Sequence, residues 1–139
     1  MQPYLAKTLA GLEPVLAAEL LALGASGIRQ LKRAVAFTGD YSLLYRANYE
    51  LRSALRILVP IHSFSAYNER DMYDQVREID WAVYMNVGDT LAVDAIAQGE
   101  VFRHSQYLGL LTKDAIVDQF RDRYNRRPNV STVGPTLRI

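Results

Sequence analysis

The residues best suited to binding chemistry bracket a single stretch, residues 101–130, which reads VFRHSQYLGLLTKDAIVDQFRDRYNRRPNV. Arg103 and His104 stand just before a segment of helical period, Arg126 and Arg127 just after it, and Lys113 roughly two turns inside it. Cations at both ends of one helix are suited to a polyanion. A guanidinium offers a planar fork that matches phosphate, and Lys adds a compact point charge. Of the 16 cations in the chain, 13 are Arg. Lys32 and Arg33, at a tight connection earlier in the chain, are expected to join Arg103, His104, Lys113, Arg126 and Arg127 in one basic surface. Ser105 either touches the bound polyanion or caps the helix, and capping is the role its side chain suits best. The same stretch also reads as an ordinary solvated helix with charged ends.

Charge is segregated along the chain. The net charge is only +1, but residues 1–65 carry +3, residues 66–100 carry −6 and residues 101–139 carry +4. A low total argues against indiscriminate polyanion binding, whereas two basic stretches around an acidic one permit a local basic patch. No catalytic constellation is evident. The eight glycines form neither a Gly-x-Gly-x-x-Gly nor a P-loop, there is no Cys, and His62 and His104 are far apart. No thiolate nucleophile and no metal ligand set is therefore expected. Trp81 and Tyr84 read as core more readily than as a base-stacking platform. With 50% hydrophobic residues, no long apolar run and no signal-peptide pattern, the expectation is a soluble cytoplasmic protein without membrane contact.

The first half predicts a strand over residues 4–8, a helix from Glu13 with Pro14 in its first turn and Gly24 as its stop, and strands over 28–32 and 35–38. Asp40 is a plausible N-cap for a helix over 41–53, and alternation at Leu55, Ile57, Val59 and Ile61 predicts a strand over 55–65, with Pro60 at an edge or bulge. This order, βαββαβ, is the split arrangement of ferredoxin-like domains. The second half predicts an acidic helix over 69–79, a short helix over 80–85, a strand over 90–97 with Leu91, Val93 and Ala95 on one side, and then the long helix. In that helix Leu108, Leu111, Ala115, Phe120 and Tyr124 define an apolar face, and Asp114, Asp118 and Asp122 form a row within reach of Arg121 and Arg126. Pro128 blocks its continuation, and residues 137–139 read as the start of a strand without partners. The fold class is α+β, with domains at 1–66 and 67–139.

Residues 102–107 (FRHSQY), 113–120 (KDAIVDQF) and Arg127-Pro128 together resemble the THUMP module, and more narrowly that of the bacterial 23S rRNA guanine-N2 methyltransferases. Tyr73-Asp74-Gln75-Val76 with Asp80-Trp81 is similar to the start of that module. Gly11-Leu12-Glu13, Phe37-Thr38-Gly39-Asp40 and Arg46-Ala47-Asn48 resemble the ferredoxin-like domain that precedes it. The resemblance implies a ferredoxin-like domain followed by an incomplete THUMP domain whose last strands are missing. It further implies an RNA-binding region that docks structured RNA, 23S rRNA, for an S-adenosylmethionine-dependent methyltransferase domain carried in cis but outside this chain. That family's cofactor loop and its Asn/Asp-Pro-Pro-aromatic motif have no counterpart here, so neither a cofactor nor catalytic residues are expected in this chain. By the resemblance, Arg103, His104, Ser105 and Lys113 are the RNA contacts. Two other readings stay open: a small phosphate-handling enzyme using Arg29 or Arg33 with Asn48, and a regulatory or self-associating module.

Overall fold

The computed structural model describes residues 1–139. Its first unit, Met1–Ser63, runs β1 (Gln2–Lys7), α1 (Glu13–Leu23), β2 (Ser26–Leu31), β3 (Ala34–Gly39), α2 (Tyr41–Glu50) and β4 (Arg56–Leu58). The sheet order is β2-β3-β1-β4, with every pairing antiparallel. Alternation along β1 and β3 turns Tyr4, Ala6, Val35 and Phe37 into a core with Leu16 and Leu20 of α1 and Leu43 of α2. Gly24 ends α1 in the left-handed region at φ 96°, where the absence of a Cβ removes the steric penalty. Asp40 caps α2, accepting from Leu43 N at 2.7 Å.

Two predicted elements are shorter than their periodicity suggests. The helix over 41–53 stops at Glu50 because the next amides go elsewhere. The Glu19 carboxylate accepts from Arg52 N (3.1 Å), Ser53 N (3.4 Å) and Ser53 Oγ (3.1 Å). Leu51 is already extended, at ψ 130°. The strand over 55–65 shrinks to three residues, paired as Leu5↔Leu58, Ala6↔Ile57 and Lys7↔Arg56. Two more steps in that register would set Pro60 opposite Pro3, and neither proline has an N–H to give the ladder.

The second unit, Phe64–Ile139, contains α3 (Glu69–Glu78), a 3₁₀ turn at Trp81–Val83, β5 (Thr90–Ala92), α4 (Ser105–Tyr124), β6 (Asn129–Val130) and β7 (Leu137–Arg138). The sheet is parallel, in the order β6-β5-β7. β5 is three residues rather than eight, because each partner offers only two residues to its ladder. The expectation of an unpartnered terminal strand is corrected. β7 pairs with β5, Ile139 N donates to Ala92 O at 2.9 Å and Asp94 N to Ile139 O at 2.7 Å. β6 has no counterpart among the predicted elements; two residues carry too little pattern to register.

α4 is buried on more of its circumference than a single stripe. Ala115, Ile116, Val117 and Phe120 pack with Val76, Trp81, Met85 and Leu91, whereas Leu111 is only half-buried and Tyr124 exposed. Gln119 lies within this core. Its Oε1 accepts from Trp81 N (3.1 Å), and its Nε2 donates to Arg77 O and Ile79 O (2.6 Å each). Trp81 is core, as predicted, with Nε1 bonded to Val76 O at 2.9 Å.

Two substitutions test this framework by urea or thermal melts. Gly39→Ala would bring a Cβ to 2.2 Å from Leu43 Cδ2 and 3.0 Å from Leu43 Cβ, an overpacking expected to cost about 1–3 kcal/mol. Gln119→Leu keeps the volume but strips partners from Trp81 N, Arg77 O and Ile79 O, and should cost at least ~2 kcal/mol. A loss under ~0.5 kcal/mol in either case would contradict the packing described.

Candidate functional site

The predicted site residues of the second unit are arranged around α4. His104 is its N-cap residue, at ψ 99°, and makes no side-chain capping bond. Ser105 is already the first helical residue, so the capping role expected of it is not taken. At the far end Asn125 adopts the left-handed conformation (φ 55°) and donates its N–H to Arg121 O, a geometry Asn tolerates better than most residues. Arg126 and Arg127 follow fully outside the helix and exposed, while Pro128 is buried behind them. A 20-residue helix is ~30 Å long, so Arg103 and His104 are separated from Arg126 and Arg127 by that distance. The single continuous basic surface expected from the sequence is not formed within this unit; there are two separate basic ends.

Ion pairing sorts the cations of this unit. Arg70 meets Asp74 at 3.3 Å, Lys113 meets Asp114 at 2.7 Å, Arg123 meets Asp80 at 2.8 Å, Arg138 meets Asp94 at 2.8 Å, and Arg121 lies 3.9 Å from Asp118. Arg77 pairs with Asp122. Arg103, Arg126 and Arg127 have no carboxylate partner; Arg103 Nε donates instead to the Glu100 carbonyl at 3.0 Å. The pairing of Arg126 with the Asp row is thus corrected, because α3 claims that row: Tyr73 donates to Asp118 and Arg77 to Asp122. The Arg123–Asp80 pair also shifts both its members. Arg123 donating to Asp80 lowers that carboxyl and raises the guanidinium. Tyr73 is raised first by burial and then by Asp118. The Glu69 carboxylate, accepting from the Tyr107 hydroxyl at 3.1 Å, raises that phenol.

The N-terminal half of α4 borders a cleft of about 450 Å³ lined by Ala92–Ala95, Ser105, Gln106, Gly109, Lys113, Val130, Thr132 and Arg138. A shallower groove of similar volume runs outside it along Arg103, His104, Gln106, Tyr107 and Leu110. Ser105 borders both; Lys113, about two turns into the helix, lines the cleft, and Arg103 and His104 line the groove. Arg138 and Gln106 are cleft residues that the sequence reading missed. Arg138 stood alone in sequence among apolar and small neighbours, and its place follows only from the pairing of β7 with β5.

In the first unit, Lys32 and Arg33 form the β2–β3 turn, with Arg33 at φ 57° and its N–H held by Glu13 Oε1 at 3.1 Å. Glu13 also accepts from Gly11 N at 2.8 Å, and its pKa is lowered, most by its own backbone N–H and next by that of Arg33. Asn48 donates Nδ2 to Leu44 O of its own helix at 2.9 Å, which leaves the phosphate-handling alternative without a positioned water-orienting group. No glycine-rich strand-to-helix loop is formed, since glycines stand mainly at turns and caps. This chain's residues do not fit an S-adenosylmethionine-binding loop. No helix is long and apolar enough to cross a membrane.

Comparison with known proteins agrees with this architecture. Residues 3–58 match the RlmL ferredoxin-like domain and residues 66–139 the THUMP domain. The ribosomal RNA large subunit methyltransferase K/L of Syntrophotalea carbinolica is 38% identical over 129 residues, covering 93% of this chain and 18% of that protein. The protein of the same name from Magnetococcus marinus is 38% identical over 139 residues, covering 100% of this chain and 19% of its own. The crystal structure of SMU.472 complexed with SAH superposes with a TM-score of 0.79 at 26% identity, covering 92% of this chain and 35% of that one. This chain thus spans between 18% and 36% of the curated relatives it matches. It belongs to the THUMP family, with an RlmL-type ferredoxin-like domain ahead of the THUMP domain.

Proposed function

We propose that this chain is the RNA-binding region of an S-adenosylmethionine-dependent 23S rRNA guanine-N2 methyltransferase of the cytoplasm, docking structured RNA for a catalytic domain outside these residues. The observation that carries the reading is the set of unpaired guanidiniums. In a unit whose other cations all meet carboxylates, Arg103, Arg126 and Arg127 do not. The relatives named large subunit rRNA methyltransferases support the substrate class, and the neighbour complexed with SAH supports the cofactor of the longer protein.

The physical role follows from those charges. Exposed guanidiniums with no carboxylate to displace pair with phosphate oxygens and set the position of the RNA, while base identity is read elsewhere. Arg103 with His104 and Ser105 holds backbone at one end of α4, and Arg126 with Arg127 holds it ~30 Å away. A span of that size selects folded RNA by shape more than by sequence. Lys113 contributes less, because Asp114 already neutralises it. Lys32 and Arg33, at an exposed hairpin turn, add contacts from the first unit.

The test is affinity for a 23S rRNA fragment across a salt series. Each phosphate contact releases condensed counterions, so replacing Arg126 and Arg127 with Ala should lower the salt slope by up to ~1 per lost contact, with little change in sequence preference. Lys113→Ala should change it much less. An unchanged affinity and slope in a folded R126A/R127A protein would remove these arginines from the interface.

A further inference from the structure

Helix α2 carries three tyrosines, Tyr41, Tyr45 and Tyr49, at intervals of four residues. They are 68%, 74% and 92% exposed. That spacing puts them in one column along the helix surface, opposite the face that buries Leu43 and Ala47. None of the three hydroxyls has a hydrogen-bond partner in the fold. Scattered exposed apolar residues are ordinary on a protein surface, but an uninterrupted aromatic column on the exposed side of a helix is a candidate interaction surface.

We infer that this column is a stacking platform for unpaired nucleotides, an inference that rests on the RNA-binding reading and names the form of RNA this domain would take. Two features favour that occupant. First, successive tyrosines are separated by ~6 Å along the helix axis, close to twice the ~3.4 Å between stacked bases, which leaves room for one base between neighbouring rings. Second, the electrostatics suit a phosphate chain. Glu50, the one acid within α2, is paired with Arg46 at 3.4 Å, and the Asp40 carboxylate is held on the helix N-terminus by Leu43 N. The other two acids of this unit, Glu13 and Glu19, are likewise held by backbone N–H groups. The guanidinium of Arg52, three residues beyond Tyr49, has no carboxylate partner; only its backbone N–H meets one, that of Glu19.

A second copy of the chain is the poorer fit. Three aromatic side chains bury roughly 450–750 Å² together, below the ~800 Å² per partner of a stable interface. Tyrosine is also well suited to a base. Its ring gives sequence-tolerant stacking, and its free hydroxyl stays in water or reaches a phosphate or a 2′-hydroxyl.

The experiment measures binding of the whole 139-residue chain to a fluorescein-labelled oligouridylate of twelve nucleotides and to a blunt RNA duplex of the same length, at one low salt concentration. Tyr45→Ala/Tyr49→Ala should weaken oligouridylate binding at least tenfold and leave duplex binding within about twofold. Tyr45→Phe/Tyr49→Phe should retain most of the single-strand affinity. Tyr45→Leu/Tyr49→Leu, which keeps apolar area without a π face, should behave like the Ala protein. The inference is overturned if the Ala protein, folded by thermal melt, binds oligouridylate as the parent does, or if Leu serves as well as Phe. It is also overturned if sedimentation shows a dimer that the Ala changes dissociate. Failure here with rRNA-fragment binding intact would leave the RNA-binding reading standing. A chain that binds no RNA of any kind would remove both.

Discussion

The azimuth of α4 is held by one buried amide, and the electrostatics of the second unit depend on it. Gln119 bonds to Trp81 N and to the carbonyls of Arg77 and Ile79, groups at the end of α3 that the helix itself leaves unsatisfied. Leaving them unpaired in this core would cost more than the bonds themselves contribute. Because those three bonds fix which side of α4 meets α3, Asp118 and Asp122 are carried to Tyr73 and Arg77. Arg126 is then left without the carboxylate that lies four residues before it in sequence. The free cations beyond the helix are thus a consequence of internal packing.

The first unit reaches a similar end by another route. Its carboxylates act mainly as backbone acceptors: Glu13 across the β2–β3 turn, Glu19 on the segment after α2, and Asp40 at the α2 N-terminus. These bonds shape turns and end a helix. They also keep Glu13, Glu19 and Asp40 from forming ion pairs, so Lys32, Arg33 and the Arg52 guanidinium stay available at its surface. Exposed ion pairs contribute little stability in any case, so leaving cations unpaired costs the fold little.

Family membership and geometry bear on different questions. The THUMP and ferredoxin-like matches account for the order of elements and the layered packing in each unit. They do not say which cations are available to a ligand, because charges of the same type in a helix and just beyond its end have opposite fates. Arg123 is tied to Asp80 and Arg127 to nothing, four residues apart. A fold hosts function only through such local arrangements.

The sequence by itself determined the element order of the first unit, the caps at Asp40 and Gly24, the place of Trp81 in the core and the cations at both ends of α4. Each depends on contacts within a few residues or on a period that survives without partners. Only the tertiary structure decided where β4 ends, because that needs Pro60 set against Pro3 from a distant strand. It also decided that Ile116, Val117 and Gln119 are buried, since α4 packs against α3 on one side and meets Leu91 of β5 on another. The pairing of β7 with β5, which carries Arg138 to the cleft, is likewise invisible locally. Two-residue strands have no periodicity to read, and their partners lie 39 to 46 residues away, from Thr90↔Asn129 (129 − 90) to Leu91↔Leu137 (137 − 91).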